Sequence, residues 1–158
     1  MTCKERLEKY LTDEHISYEV HAHPRAVTAQ HVAAVDHIHG RMVAKPVIVV
    51  AHSELVMLVL PAPYRLDLGK AASVLGDPSV RLAREEEFGE RFPGCEIGAM
   101  PAFGNLYDVP VHVDRLLSMN ERIATQAGNH RELILVRYED FARVVEPAVG
   151  DLAATTAT

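Results

Sequence analysis

The sequence predicts an α+β fold on a mixed or mainly antiparallel sheet, and three observations carry that reading. Runs such as MVAKPVIVVAH and ELVMLVLP are rich in Val, Leu and Ile and bounded by turn residues, as buried strands are. The strands cluster in hairpin-like pairs. Helices are inserted among them without alternating one for one, which argues against a doubly wound parallel fold. The chain has 158 residues, 48% apolar and 24% charged, which suits one globular domain and excludes disorder and low complexity. A domain of that length buries roughly 70% of its unfolded surface and needs neither metal nor disulfide to fold.

Taken in order, KERLEKYLTDEH is a helix whose Leu7, Tyr10 and Leu11 share a face. SYEVHAH is a short strand broken by His23-Pro24, after which Thr28 caps a second helix, TAQHVAAVDHI. Gly40 punctuates, and the two apolar strands follow, joined by a turn around Ser53. Asp67 caps a third helix, LGKAASVLG, which Gly76 and Asp77-Pro78 end. SVRLA is a brief strand leading into an acidic helix, REEEFGERF. The stretch PGCEIGAMPAFG holds three Gly and two Pro in twelve residues and forms no regular element. VPVHVD, ERIATQAG and ELILVRY are late strands, and YEDFARVV is a helix ending before Pro147. The expected domain spans residues 1–149. Residues 150–158, within GDLAATTAT, read as a flexible tail without core-forming residues.

Composition narrows the function. The longest apolar runs, 47–51 and 55–63, fall short of the roughly 18 residues of a membrane helix. MTCKERLEK lacks the apolar segment of a secretion signal, so a cytoplasmic location is expected and a membrane partner is not. Cys3 and Cys95 lie far apart without a CxxC pair, and reduced structural thiols are expected. A net charge of −6 weighs against coating DNA or RNA through bulk charge. Twelve Arg against four Lys suits local phosphate recognition and ordinary surface ion pairs alike.

Several chemistries drop out. Gly69-Lys70 resembles the end of a phosphate loop, but Tyr64 replaces its first glycine and Ala71 its magnesium-binding hydroxyl. His21, His23, His31, His37 and His39 fall within nineteen residues, yet at no zinc spacing and with no acidic or Cys ligand at fixed spacing. No metal or other cofactor is expected. Ser53, Ser73, Ser79 and Ser118 sit on no nucleophile elbow, and Cys95 reads first as a packing residue.

Three features remain. Lys45 stands among Met42, Val43, Ala44, Val47, Ile48 and Val49; it either faces a cleft or an anionic partner, or snorkels from the strand's end. The loop Gly94–Gly104 either orients backbone amides toward a carbonyl oxygen or connects helix to strand. His130, in the turn QAGNH, either enters a pocket or is an exposed spacer.

These pieces carry a resemblance. HPRAVTAQHVAA, MVAKPVIVV, LAREEEFGERFPGCEIGAMPAFG, VPVHVDRLL and QAGNHRELILV occur in an order similar to that of the YbaK/prolyl-tRNA-synthetase-associated family of single-domain aminoacyl-tRNA deacylases. They span about residues 18–145. The resemblance implies a mixed, barrel-like sheet surrounded by helices and hydrolysis of the ester on a mischarged tRNA. It implies that Lys45 lines the pocket beside Val43, and that Gly98, Ala99 and Met100 hold the aminoacyl carbonyl. Pro101, Phe103 and Gly104 would complete the substrate-binding loop. His130 matches a pocket histidine of the alanine-editing branch, and Asp114 a strand-end acid. Pro46 follows the lysine where many members carry a small polar residue, so substrate preference does not carry over. The implied partners are the tRNA acceptor end and a cognate synthetase; Arg25, Arg41, Arg65 and Arg115 are candidates for phosphate contacts and read equally as solvated surface residues. Because an apolar pocket separates one methylene by only about 1–3 kcal/mol, excluding a larger amino acid works better than attracting a small one, which favours alanyl, seryl or cysteinyl esters. The alternatives are a binding module that holds nucleotide or tRNA without turnover and a His-dependent metallohydrolase.

Overall fold

A computed structural model describes residues 1–22 and 38–157. The expected helix TAQHVAAVDHI, with Thr28, and His23, Arg25, His31 and His37 lie outside the described residues. The first helix, α1 (Cys3–Asp13), starts from a reciprocal cap: Thr2 Oγ1 accepts from Glu5 N (3.1 Å) and Glu5 Oε1 accepts from Thr2 N (2.9 Å). Its Leu7 and Leu11 are fully buried, each contributing about 1.5–3 kcal/mol of transfer free energy.

Strand β1 (Glu19–Ala22) belongs to a three-stranded antiparallel sheet considered below. The paired strands β2 (Ala44–Ala51) and β3 (Glu54–Pro61) form a hairpin whose turn residues His52 and Ser53 both take positive φ (51° and 65°). A turn of that hand matches the right-handed twist of the strands. The short strands β4 (Tyr64–Leu66) and β5 (Arg81–Leu82) flank helix α2 (Leu68–Leu75), which Asp67 caps by accepting from Lys70 N (3.1 Å). The acidic helix shrinks to one turn, α3 (Glu85–Phe88), followed by a 3-10 turn at Gly89–Arg91. β6 (Val111–Asp114), α4 (Arg115–Ser118), β7 (Arg122–Gln126), β8 (Glu132–Arg137) and α5 (Tyr138–Val145) follow, then β9 (Ala148–Gly150) and β10 (Ala153–Ala157).

The five-stranded sheet runs β5-β2-β3-β6-β9, antiparallel around the hairpin and parallel at β3-β6-β9; β1-β8-β7 is antiparallel throughout, and β4 pairs with β10. A parallel bridge, Val43 to Ala124, joins the two larger sheets. Among the described residues the strands wrap the core without closing into one barrel. In the core Phe103 packs edge-on against Phe141 (centroids 5.2 Å apart) and Tyr10 (6.2 Å).

Pro46 fits a strand because of backbone parity. Val43 O faces β3, accepting from Ala62 N, whereas Ile48 O faces β5, accepting from Ala83 N. Pro46 shares the parity of Ile48, so its missing N–H removes no bond to β3.

Two expectations are corrected. The segment read as a flexible tail instead supplies β10 and the buried Leu152 and Ala153. Asp114, only 1% exposed, draws it in: its Oδ1 accepts from Leu152 N (2.8 Å) and Ala153 N (2.9 Å), and its Oδ2 caps α4 through Leu116 N (2.9 Å). The two cysteines, read as free thiols, form a disulfide that closes a separation of 92 residues with their Cα atoms 5.0 Å apart. The Tyr107 hydroxyl lies 3.3 and 3.4 Å from the two sulfurs, as donor to the pair.

Constraining so long a loop in the unfolded chain is worth about 2–4 kcal/mol. Urea unfolding with and without dithiothreitol is therefore expected to show a stability loss of that size, and Cys95→Ser to remove the difference; equal midpoints would leave the bridge without energetic weight. Asp114→Ala leaves two buried N–H donors, of Leu152 and Ala153, and the half-buried N–H of Leu116 without an acceptor, at about 1–3 kcal/mol for each buried one. A loss of about 3 kcal/mol or more is expected in the same assay, and one below about 0.5 kcal/mol would contradict the clamp.

Candidate active site

Lys45 lies half-buried on β2, on the strand face it shares with Val43 and Val49. Val43 belongs to an apolar cluster with Ile38, Ala124, Leu133 and Leu135, and Val49 to one with Leu58, Leu60 and Leu152, so Lys45 stands between two greasy patches. Its Nζ donates to the carbonyl oxygens of Tyr64 and Ala62 (3.3 Å to the latter) in the turn entering β4. Burial first, and the charge of Arg65 second, push its pKa below the ordinary 10.5. The amine is therefore partly desolvated and held on main-chain carbonyls.

The Gly/Pro loop lies along β7 and the β7–β8 turn. Ala102 N donates to Thr125 Oγ1 (2.8 Å), Gly128 N to Ala99 O (2.9 Å), and Glu96 N to Gly128 O (2.8 Å). Ala99 N is spent on Glu96 O (3.0 Å), so Ala99 fastens the loop through both its amide and its carbonyl. The N–H groups of Gly98 and Met100 have no hydrogen-bond partner among the described residues. Gly98 takes φ +85°, and a Cβ there would touch His130 Cε1 at 3.5 Å.

His130 is thereby seated beside the loop. Its backbone N donates to Glu96 Oε2 (3.2 Å), and its Nε2 lies 2.9 Å from Ile97 O. A carbonyl only accepts, so the neutral ring carries its proton on Nε2 and presents Nδ1 as an acceptor.

The structure does not gather every expected residue. Lys45 bonds to the 62–64 turn, not to Gly98–Met100 or His130. Pro101 is buried beneath the loop. Phe103, fully buried, is a core ring, and a side chain at Gly104 would overlap the Val109 carbonyl (2.6 Å) and Val111 Cγ2 (2.8 Å). Asp114 is likewise committed to backbone amides.

Two residues escaped sequence reasoning. Gln126 and His21 both pair with Leu133, from opposite sides of β8, so both side chains share the Leu133 face. Gln126 Oε1 and His21 Nε2 are buried with no hydrogen-bond partner among the described residues. An isolated parallel bridge at Val43–Ala124 joins the residue before β2 to β7, two residues before Gln126. Strict alternation in RIATQ was the available signal: it puts Gln126 on the face of Ala124, a polar group on an apolar side. Among the described residues no group of three or more His, Cys, Asp or Glu could hold a metal ion, and no helix is long and apolar enough to cross a membrane.

The scaffold and site define an α+β protein with free loop amides, a seated imidazole and a half-buried lysine arranged around β7. Residues 23–144 match the model of the aminoacyl-tRNA editing domain, and the chain belongs to that family. No functionally curated protein sequence matches it. Its fold is similar to a solved structure described as a candidate trans-editing enzyme for prolyl-tRNA synthetase (TM-score 0.84, 24% identity, 98% of both chains). It is also similar to a scaffold used for computational grafting of linear epitopes (0.84, 20% identity, 99% of both). A larger chain from Marinobacter aquaeolei VT8, described as a candidate signal transduction protein, contains the same fold (0.74, 20% identity, 95% of this chain and 30% of that one).

Because burial and Arg65 both disfavour the charged amine, Lys45 is expected to titrate below its neighbours in an NMR experiment on labelled lysine side chains. Arg65→Gln should raise its pKa part of the way back toward 10.5. Between the folded pKa and 10.5 the unfolded chain holds more protons at Lys45, so this group makes stability rise with pH across that window. A Lys45 resonance titrating with the surface lysines would refute the desolvated placement.

Proposed function

We propose that this chain is a trans-editing aminoacyl-tRNA deacylase that hydrolyses the ester joining a small amino acid (alanine, serine or cysteine) to the terminal adenosine of a mischarged tRNA. The observation that carries this reading is the pair of unpartnered amides at Gly98 and Met100, on a loop pinned to β7 with the His130 ring against it. Family membership supports the tRNA ester as substrate, and the relative described as serving prolyl-tRNA synthetase supports a tRNA charged by that enzyme. A cytoplasmic location beside a cognate synthetase follows from the substrate.

In this mechanism water adds to the ester carbonyl carbon, the bond to the ribose oxygen breaks, and that oxygen takes up the proton. The amides of Gly98 and Met100 stabilise the developing oxyanion; removing one such donor typically costs about 10²–10³ in turnover. His130 accepts at Nδ1 from the attacking water or the substrate ammonium. Lys45 has three N–H donors, two of them engaged with Ala62 and Tyr64, and the third binds the terminal ribose or phosphate. The apolar floor of Val43, Ala124 and Leu133 limits the size of the amino-acid side chain. No protein nucleophile is needed, since an aminoacyl ester is already activated and the adjacent ribose hydroxyl can orient water.

A second reading, a binding module for nucleotide or the acceptor end, draws on Lys45: an amine already bonded to two carbonyls serves structure as well as chemistry. Purified tRNAs carrying Ala, Ser, Cys and Thr esters separate the two. Wild type is expected to release a small amino acid, Lys45→Ala to lose most of that turnover while staying folded, and Gly98→Ala to lose at least about tenfold because φ +85° strains any side chain. Binding without release of any ester would establish the module instead.

A further inference from the structure

Behind the turn that holds Lys45, a cleft of about 190 Å³ opens between Arg41, Pro61, Tyr64, Leu116, Met119 and Asn120. Drug-sized sites run from roughly 300 to 1,000 Å³, so this cleft admits one ring system and little more. Its walls are an aromatic ring, a proline, a leucine and a thioether. Met119 is 75% exposed, unusual for so large an apolar side chain. Asn120 Nδ2 is committed to Arg41 O (3.0 Å) and Leu117 O (3.1 Å), which leaves its Oδ1 as an acceptor at the edge.

The lining itself carries one charged side chain, Arg41. No acidic side chain lines it. Arg41, Arg65 beside Tyr64, and Arg115 at the start of α4 make no ion pair among the described residues, nor do Arg6, Arg91 and Arg131, whereas Arg81, Arg84, Arg122, Arg137 and Arg143 are all paired with carboxylates. In a chain of net charge −6 this is a local concentration of free cation around an apolar slot. Phosphate needs the cations. A nucleobase needs the slot, because stacking on aromatic and apolar walls tolerates any base while an edge acceptor favours a base with an exocyclic amine.

We propose that this cleft is a nucleobase subsite: it takes one unpaired base of the tRNA's single-stranded 3′ end, stacked between Tyr64 and Met119, with Arg41 and Arg65 on the flanking phosphates. The subsite rests on the tRNA reading above and adds to it a specific seat outside the loop that handles the ester. Because Tyr64 supplies a carbonyl to Lys45, a base in the cleft places the neighbouring ribose within reach of the lysine's strand.

The test measures binding of an acceptor-stem minihelix by fluorescence anisotropy, with an abasic ribose placed in turn at each of its three unpaired 3′ nucleotides. For wild type, one of the three replacements is expected to weaken binding about 5- to 100-fold. Met119→Ala and Tyr64→Leu should weaken the intact probe and abolish the penalty at that position, while Tyr64→Phe, which keeps the ring, retains it. Met119 is exposed, so its variant reports even if Tyr64→Leu fails to fold. An abasic penalty absent from wild type, or undiminished in Met119→Ala, overturns the subsite. Ester hydrolysis measured in parallel separates this from the catalytic reading: turnover without an abasic penalty rejects the cleft and keeps the deacylase, and the penalty without turnover does the reverse.

Discussion

A loop buried in a protein has no water to satisfy its amides, and that constraint organises this molecule. Residues 99–103 are all buried, yet they form no helix or strand. The hairpin of β7 and β8 answers for them: Thr125 offers a hydroxyl, Gly128 offers both an N–H and a carbonyl, and Ala99 bonds back through both of its backbone groups. Between residues 97 and 103 the bonds of Ala99 and Ala102 hold the loop in place, and the amides of Ile97, Gly98, Met100 and Phe103 find no partner among the described residues. β7 also meets β2 at Val43, so the same strand that fastens the loop sets the position of Lys45's strand.

Electrostatics divides the surface in a complementary way. Much of the arginine is neutralised locally, in exposed pairs such as Arg81 with Glu87 or Arg137 with Glu139, which solvent and salt screen so that they add little to stability. The arginines left without a carboxylate partner include Arg41, Arg65 and Arg115, near where α4, the turn before β2 and β4 meet, and Arg6, Arg91 and Arg131 elsewhere. A protein that is acidic as a whole can in this way be attractive to a phosphate chain on one face and repel it elsewhere.

Much of the architecture was legible from residue pattern. Apolar runs and their turns located β2, β3, β7 and β8, the caps at Asp67 and Thr2 match ordinary helix chemistry, and the Gly/Pro stretch was correctly irregular. What escaped was of two kinds. Pairings between distant residues leave no local trace: the union of Cys3 with Cys95 depends on the fold bringing α1 against the loop, and the tail's burial depends on Asp114 reaching residues 152 and 153. Residue chemistry also says little where packing decides. Phe103 and Gly104 belong to a motif rich in site residues, yet one fills the core and the other makes room for Val109 and Val111. Gln126 was readable in principle, through alternation along a single strand, and was passed over because QAG reads as a turn.

The partnership of β4 with β10 has a consequence for the order in which the molecule can be completed. Synthesis runs from the N-terminus, and domains begin to organise as they emerge. The β2–β3 hairpin and the loop with its hairpin partner can assemble from residues already made. The strand carrying Tyr64, however, waits for residues 153–157, and the Asp114 carboxylate waits for the amides of Leu152 and Ala153. A nascent chain thus cannot complete the wall that holds the lysine's turn until residues 152–157 have emerged.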